Sequence, residues 1–175
     1  MLPSLERECS EFLEISQGIP LLKSLPKARD GFLKVKVRQK KRTDYFANAF
    51  NDAFADTKPR LLQRSVFAHG EASFVPLVDP NTEPFYVFPI NGFRYMYNQH
   101  TTSNLAYQDT LQKIESAIQK DSALQLFRDI LKTDYVFDNL PFGISTGCEI
   151  IIYDIPYYYA VRKSLIDDYS EFLIT

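Results

Sequence analysis

The spacing of apolar residues changes period along the chain, and each change separates one element from the next. Leu5, Phe12, Leu13 and Ile15 recur at near-helical intervals behind Ser4, a good capping residue, so the pattern predicts an N-terminal helix that Gly18 and Pro20 end. Residues 19–25, IPLLKSL, read as a short buried strand. In GFLKVKVRQKKR, Leu33, Val35 and Val37 alternate with Lys34, Lys36 and Arg38, which predicts a half-buried strand with a basic outer face. Residues 44–54 return to helical spacing, with Tyr45, Phe46, Ala49, Phe50 and Ala53 on one side. Short strands are then expected at 64–69 (RSVFAH), 84–90 (PFYVFPI) and 93–97 (FRYMY). The last two meet at Asn91-Gly92, a strong hairpin signal. Helices are expected at 103–119 and 122–132, then a loop over 140–146, a strand over 149–153 and a last helix over 162–172. The class is α+β, a core of short strands with peripheral helices. With 175 residues and neither a repeat nor a linker, one domain over 1–175 is expected.

One residue breaks the pattern. The 149–153 strand is apolar except for Glu149, which opens it directly after the loop. A carboxylate buried between two layers loses its hydration, so Glu149 is either a solvated strand start or a group lining a cleft.

Composition narrows the chemistry available to that cleft. Twenty basic and 22 acidic residues give a net charge of −2, so no global field recruits nucleic acid or an anionic membrane. Fourteen Phe and eleven Tyr supply rings for packing and for stacking on flat ligands. Cys9 and Cys148 match no metal or redox spacing and are expected as reduced thiols, and His69 with His100 are too few for a zinc site. With neither a signal pattern nor a membrane-length apolar run, a soluble intracellular protein is expected. GxGxxG and GxxxxGK[ST] patterns are both missing. VRQKKR with Lys34, Lys36 and Lys58 forms a basic patch, read either as a solvated strand face or as a phosphate-binding surface. Arg64-Ser65, opening a short strand, suits the same phosphate-bearing, flat ligand.

The order of these motifs resembles that of bacteriophage-encoded proteins with an ADP-ribosyltransferase-like fold, of the Arg–Ser–Glu class, over most of the chain. The likeness rests on ECSEFLEIS, VRQKKRTDYFANAFNDAF, RSVFA, YVFPINGFRYMYN and CEIIIYDIPYYYAV. It implies a split β-sheet core and NAD as substrate. Glu149 would be the catalytic glutamate, stabilising positive charge on the ribose as nicotinamide leaves. Ser65 would prop that glutamate, while Arg38 and Arg42 would face the pyrophosphate. Phe67 and Tyr97 would contact nicotinamide or ribose. Lys23 stands where such proteins carry the arginine of a Tyr-Arg-Gly motif, here Leu22-Lys23-Ser24, and a lysine lacks the planar fork of a guanidinium. The segment after RSVFAH departs as well, with three prolines in GEASFVPLVDPNTEP.

Two functions follow from the likeness. One is an NAD-dependent transferase modifying a host protein or nucleic acid. The other is a catalytically silent relative serving as a virion component or as a binder of a host factor. Host cytoplasm and virion are the matching locations, without membrane association. An unrelated α+β domain using its basic strand on nucleic-acid phosphates is the reading that needs no likeness. The transferase reading carries a geometric expectation: Ser65 and Glu149 should share one cleft, close enough to act on one ribose.

Overall fold

The computed structural model describes residues 2–39, 45–58, 60–75, 79–101 and 106–165. The expected N-terminal helix is two: α1 (Leu2–Glu8) and α2 (Ser10–Ile15), broken at Cys9, whose φ of −123° and ψ of 15° leave the helical region. The break sinks the Cys9 thiol into the core, 3.6 Å from the Phe88 carbonyl oxygen. Gly18, at φ +76°, ends α2 by returning its N–H to the Leu13 carbonyl, a role that favours glycine.

Eight strands follow: β1 (Leu21–Pro26), β2 (Phe32–Lys36), β3 (Val66–His69), β4 (Thr82–Pro89), β5 (Arg94–Asn98), β6 (Tyr135–Val136), β7 (Glu149–Tyr153) and β8 (Tyr157–Arg162). They form one sheet in the order β2-β8-β4-β1-β3-β7-β5-β6, with every described pairing antiparallel. The sheet is two blocks. Within the first, β1 and β4 run together from Leu21↔Val87 to Pro26↔Thr82, and β8 is inserted between β4 and β2. Within the second, β7 lies between β3 and β5. Among the described residues a single pair, Leu22↔His69, joins the blocks in the ladder, so β1 and β3 diverge on leaving it.

The expected hairpin does not form. β1, β3 and β7 stand between β4 and β5 in the sheet. Phe85 to Phe88 of β4 are all buried, so that strand needs a neighbour on each side, and it takes β1 and β8. The Asn91-Gly92 turn is clasped instead to the helix break. Asn91 N–H donates to the Glu8 carbonyl at 2.6 Å, and its side chain accepts from Glu11 N–H and donates to the Arg7 carbonyl. The turn therefore re-aims the chain into the second block rather than folding it back on β4.

The helices are α3 (Tyr45–Ala53), α4 (Ala106–Ala117), α5 (Lys120–Asp134) and α6 (Leu140–Ser145). The expected loop over 140–146 is thus mostly helix: the Asn139 side chain accepts from Phe142 N–H, and Pro141 sits in the first turn, where its missing N–H costs nothing. The expected helix over 162–172 begins instead as the end of strand β8, and 166–175 lie outside the described residues.

β7 explains the IIIY run. Ile150 and Ile152 pack toward Leu5, Phe12, Leu140 and Ile144, while Ile151 and Tyr153 pack toward Phe46, Phe50, Phe127 and Leu131. The strand is the shared wall of two cores, so it is apolar on both faces. Among the described residues no helix is long and apolar enough to cross a membrane.

Candidate functional site

Where β1 and β3 diverge, a cleft of about 670 Å³ opens, lined by Lys23, residues 33–38, Ser65, Val66 and Tyr158. Lys23 sits at the divergence and its ammonium donates to the Phe67 carbonyl at 2.8 Å, tying the two blocks beside the cleft. Ser65 is placed by the 3-10 turn Leu61–Arg64, whose Leu61 carbonyl accepts its hydroxyl. That turn is pinned to α3, because Asn51 accepts from Leu62 N–H at 3.0 Å and donates to Gln63 at 2.9 Å. The structure therefore brings Lys23, Arg38 and Ser65 to one cleft.

Arg64 lies beside it rather than in it, in a pocket of about 330 Å³ with Val37, Gln39, Lys58, Asp154, Ile155 and Pro156. Lys58 and Asp154 are ion-paired there, and Val37 lines both spaces. Arg42 lies outside the described residues. Phe67 lends its carbonyl to Lys23 while the residue packs against the α3-side core, and Tyr97 is 2% exposed, with its hydroxyl on the Asn139 carbonyl. Tyr97 is thus a core residue and not a ligand contact.

The basic patch is also reduced. Lys34 stands 3.8 Å from the Tyr157 ring centre, and Glu8 accepts from both Tyr157 and Tyr159 hydroxyls at 2.9 Å. The Tyr159 hydroxyl, then Arg7 and Tyr157, hold the Glu8 carboxyl at about 2. Lys34 thus belongs to a clasp that ties α1 to β2 and β8.

Glu149 is elsewhere. The register pairs it with His69 and sets Val66 opposite Ile152, so Ser65 is level with the far end of β7. Four strand residues separate the two levels, roughly 13 Å along the ladder. Their side chains fall on the same face by parity, but at opposite ends, so the expected shared ribose has no place between them. The reason is the antiparallel pairing: a group opening β3 lies beside the close of β7, not its start.

What faces Glu149 is an imidazole. Its Oε1 is 3.7 Å from His69 Nε2, with the two side chains 16% and 29% exposed. That spacing would make an ion pair of a protonated imidazole, yet burial pushes His69 below its ordinary value of 6.5, aided by Lys23 and opposed by Glu149. We take His69 as neutral at pH 7, because its Nδ1 is buried without a partner among the described residues and a charge there would be poorly solvated. Acid should therefore weaken the fold. Below about 6.5 the unfolded chain takes up a proton that folded His69 resists, so stability rises with pH through that window. His69→Gln should flatten the rise of the urea midpoint between about pH 5 and 7. A slope that the substitution leaves untouched would remove His69 from this role.

The alternation of VFAH points His69 to the same face as Phe67, but its partner is visible only once β3 is paired with β7. Lys58 with Asp154, and Tyr158 as a cleft wall, were likewise not legible from the sequence. The Cys9 thiol is pushed up to about 12 by burial, which makes it an inert core group. Among the described residues no three His, Cys, Asp or Glu side chains are grouped to hold a metal. Comparisons with protein-family models, with curated proteins and with solved structures each returned no match.

Proposed function

We propose that this chain binds a phosphate-bearing nucleotide of the NAD class on an ADP-ribosyltransferase-like split sheet, without transferring it. The observation that carries this reading is the placing of Lys23, Arg38 and Ser65 in one cleft while Glu149 stands at the other end of β7. An ammonium and a guanidinium supply the charge a phosphate needs, and the cleft volume lies in the range of small-molecule sites. Tyr158 lends the cleft an aromatic wall. The division of the sheet at Leu22↔His69, together with the motif order, supports the ADP-ribosyltransferase-like assignment. Stabilising an oxocarbenium-like ribose needs a carboxylate near that ribose, and Glu149 is paired with His69 instead. A binding role toward a host macromolecule, in the cell or in a virion, fits such a silent scaffold.

NAD at a hundred times its dissociation constant should stabilise the protein by about 2.7 kcal/mol, read as a rise in melting temperature. Lys23→Ala should remove most of that rise, while labelled NAD incubated with host lysate should leave protein and nucleic acid unlabelled. The absence of any NAD shift overturns the binding reading. Label transfer that Glu149→Gln abolishes restores the transferase.

A further inference from the structure

The eight-stranded sheet ends at β6, which is only two residues long. It covers Tyr97 and Asn98 of β5 and leaves Arg94, Tyr95 and Met96 with no described strand on that side. Gln99 N–H donates to the Asp134 carbonyl, and that bond sets the alternation along β5. In an antiparallel ladder the same side is faced by the backbone groups of every second residue, here Gln99, Tyr97 and Tyr95. The position level with Tyr95 would be Asp138, but β6 stops at Val136 and the chain turns into α6 through Asn139 at φ +49°. Tyr95 therefore turns its N–H and C=O toward an open rim.

The rim is a groove of about 480 Å³, lined by Glu11 and Ile15 of α2, Thr57 after α3, Phe93, Arg94, Tyr95, Phe137 and Tyr153. Walls drawn from helices on both faces place the groove at the edge of the sheet rather than over one face. Its two sides differ in chemistry. Phe93 and Tyr95, stacked with ring centres 6.0 Å apart, belong with Ile15 to the α2 side. Arg94, level with Tyr153, lies on the α3 side, where its side chain is 67% exposed and 3.7 Å from the Asp154 carboxylate, which also pairs with Lys58, so this group keeps one positive charge in excess. Phe137, 46% exposed, packs edge-on against Phe54 there.

We propose that the free edge of β5 is a strand-addition site for an extended segment of a partner protein that alternates apolar and acidic residues. Main-chain bonds to Tyr95 would set its register. Its apolar side chains would meet the Phe93–Tyr95 side, and its carboxylates would meet Arg94 on the other. Charge complementarity selects this occupant: an added strand presents alternate side chains to the two faces, and the two faces here ask for different ones.

The probe is a fluorescein-labelled nonapeptide alternating Val or Phe with Glu, titrated against the full chain by fluorescence polarisation. It should bind, and bound peptide should slow hydrogen exchange at the Tyr95 amide, which in the free protein should exchange faster than the Ile151 amide. Replacing every Glu of the peptide by Lys, or methylating alternate peptide nitrogens, should weaken binding about tenfold or more. Arg94→Glu should reverse the preference between the two peptides. Slow exchange at Tyr95 in the free protein overturns the proposal, as does binding that survives methylation. Absence of binding by the Glu peptide overturns it too, and so does a concentration-dependent dimer that Phe137→Asp abolishes, which would make the occupant a second copy.

Discussion

Replacing Gly70 with alanine should lower stability by about 3 kcal/mol, the upper end of what overpacking ordinarily costs. The backbone is not the obstacle, since φ is −67° and ψ is 160°, values that any residue adopts. Space is. A methyl group there would lie 2.0 Å from the Ile144 carbonyl oxygen and 2.9 Å from its carbon. A flexible side-chain tip could move aside, whereas this carbonyl is fixed by the Gly147 N–H at 3.2 Å at the close of α6. Relief therefore requires α6 to shift away from the end of β3, which disturbs the turn that delivers Cys148 and Glu149 to β7. Urea unfolding should show the loss as a lower midpoint with an unchanged slope. As a contrast, Gly92→Ala meets nothing within 4 Å and is penalised only for its φ of +82°, by about 1–2 kcal/mol. A Gly70 variant as stable as wild type would mean that the packing of α6 on β3 is looser than described.

The second large effect is expected at the wall between the two cores. Ile151→Ala should cost about 2–5 kcal/mol, because it removes a fully buried side chain between Phe67 and Met96 in the ladder, against the Phe50–Phe127 cluster. The helices α3 and α5 pack on that same face, so collapse into the cavity is limited on every side. Ile151→Val should cost only about 0.5–1.5 kcal/mol. Similar losses for the two variants, measured by the same urea titration, would show that Ile151 contributes through strand propensity rather than through packing.

The elements were more legible than their arrangement. Alternation located β2 and the IIIY run located β7, because both signals are local and arise from burial. YYYAVR was not read as a strand, since three tyrosines in a row show no period, yet it supplies β8 and thereby the neighbour of both β2 and β4. Without β8, pairing β4 with β5 across Asn91-Gly92 was the economical assignment, and the clasp from Glu8 and Glu11 that overrides it is a long-range contact. At the site, Lys23, Arg38 and Ser65 line one cleft. Glu149 did not join them, because the direction of pairing between β3 and β7 is written in neither strand.

The insertion of β8 between β2 and β4 also has a bearing on the order of assembly. Emerging from a ribosome, β2 has no partner in the first block until the chain has passed residue 157, more than a hundred positions later. β3 and β5 similarly await β7, which begins at Glu149, for their longest pairings. Among the described pairings that need neither β7 nor β8, β1 with β4 is the one long ladder, while β1–β3 supplies a single residue pair and β5–β6 two. The nascent protein would thus expose the edges of a lone pair of strands until its last two strands lock both blocks, a late and non-local closure of the kind that slows folding and favours assistance by a chaperone.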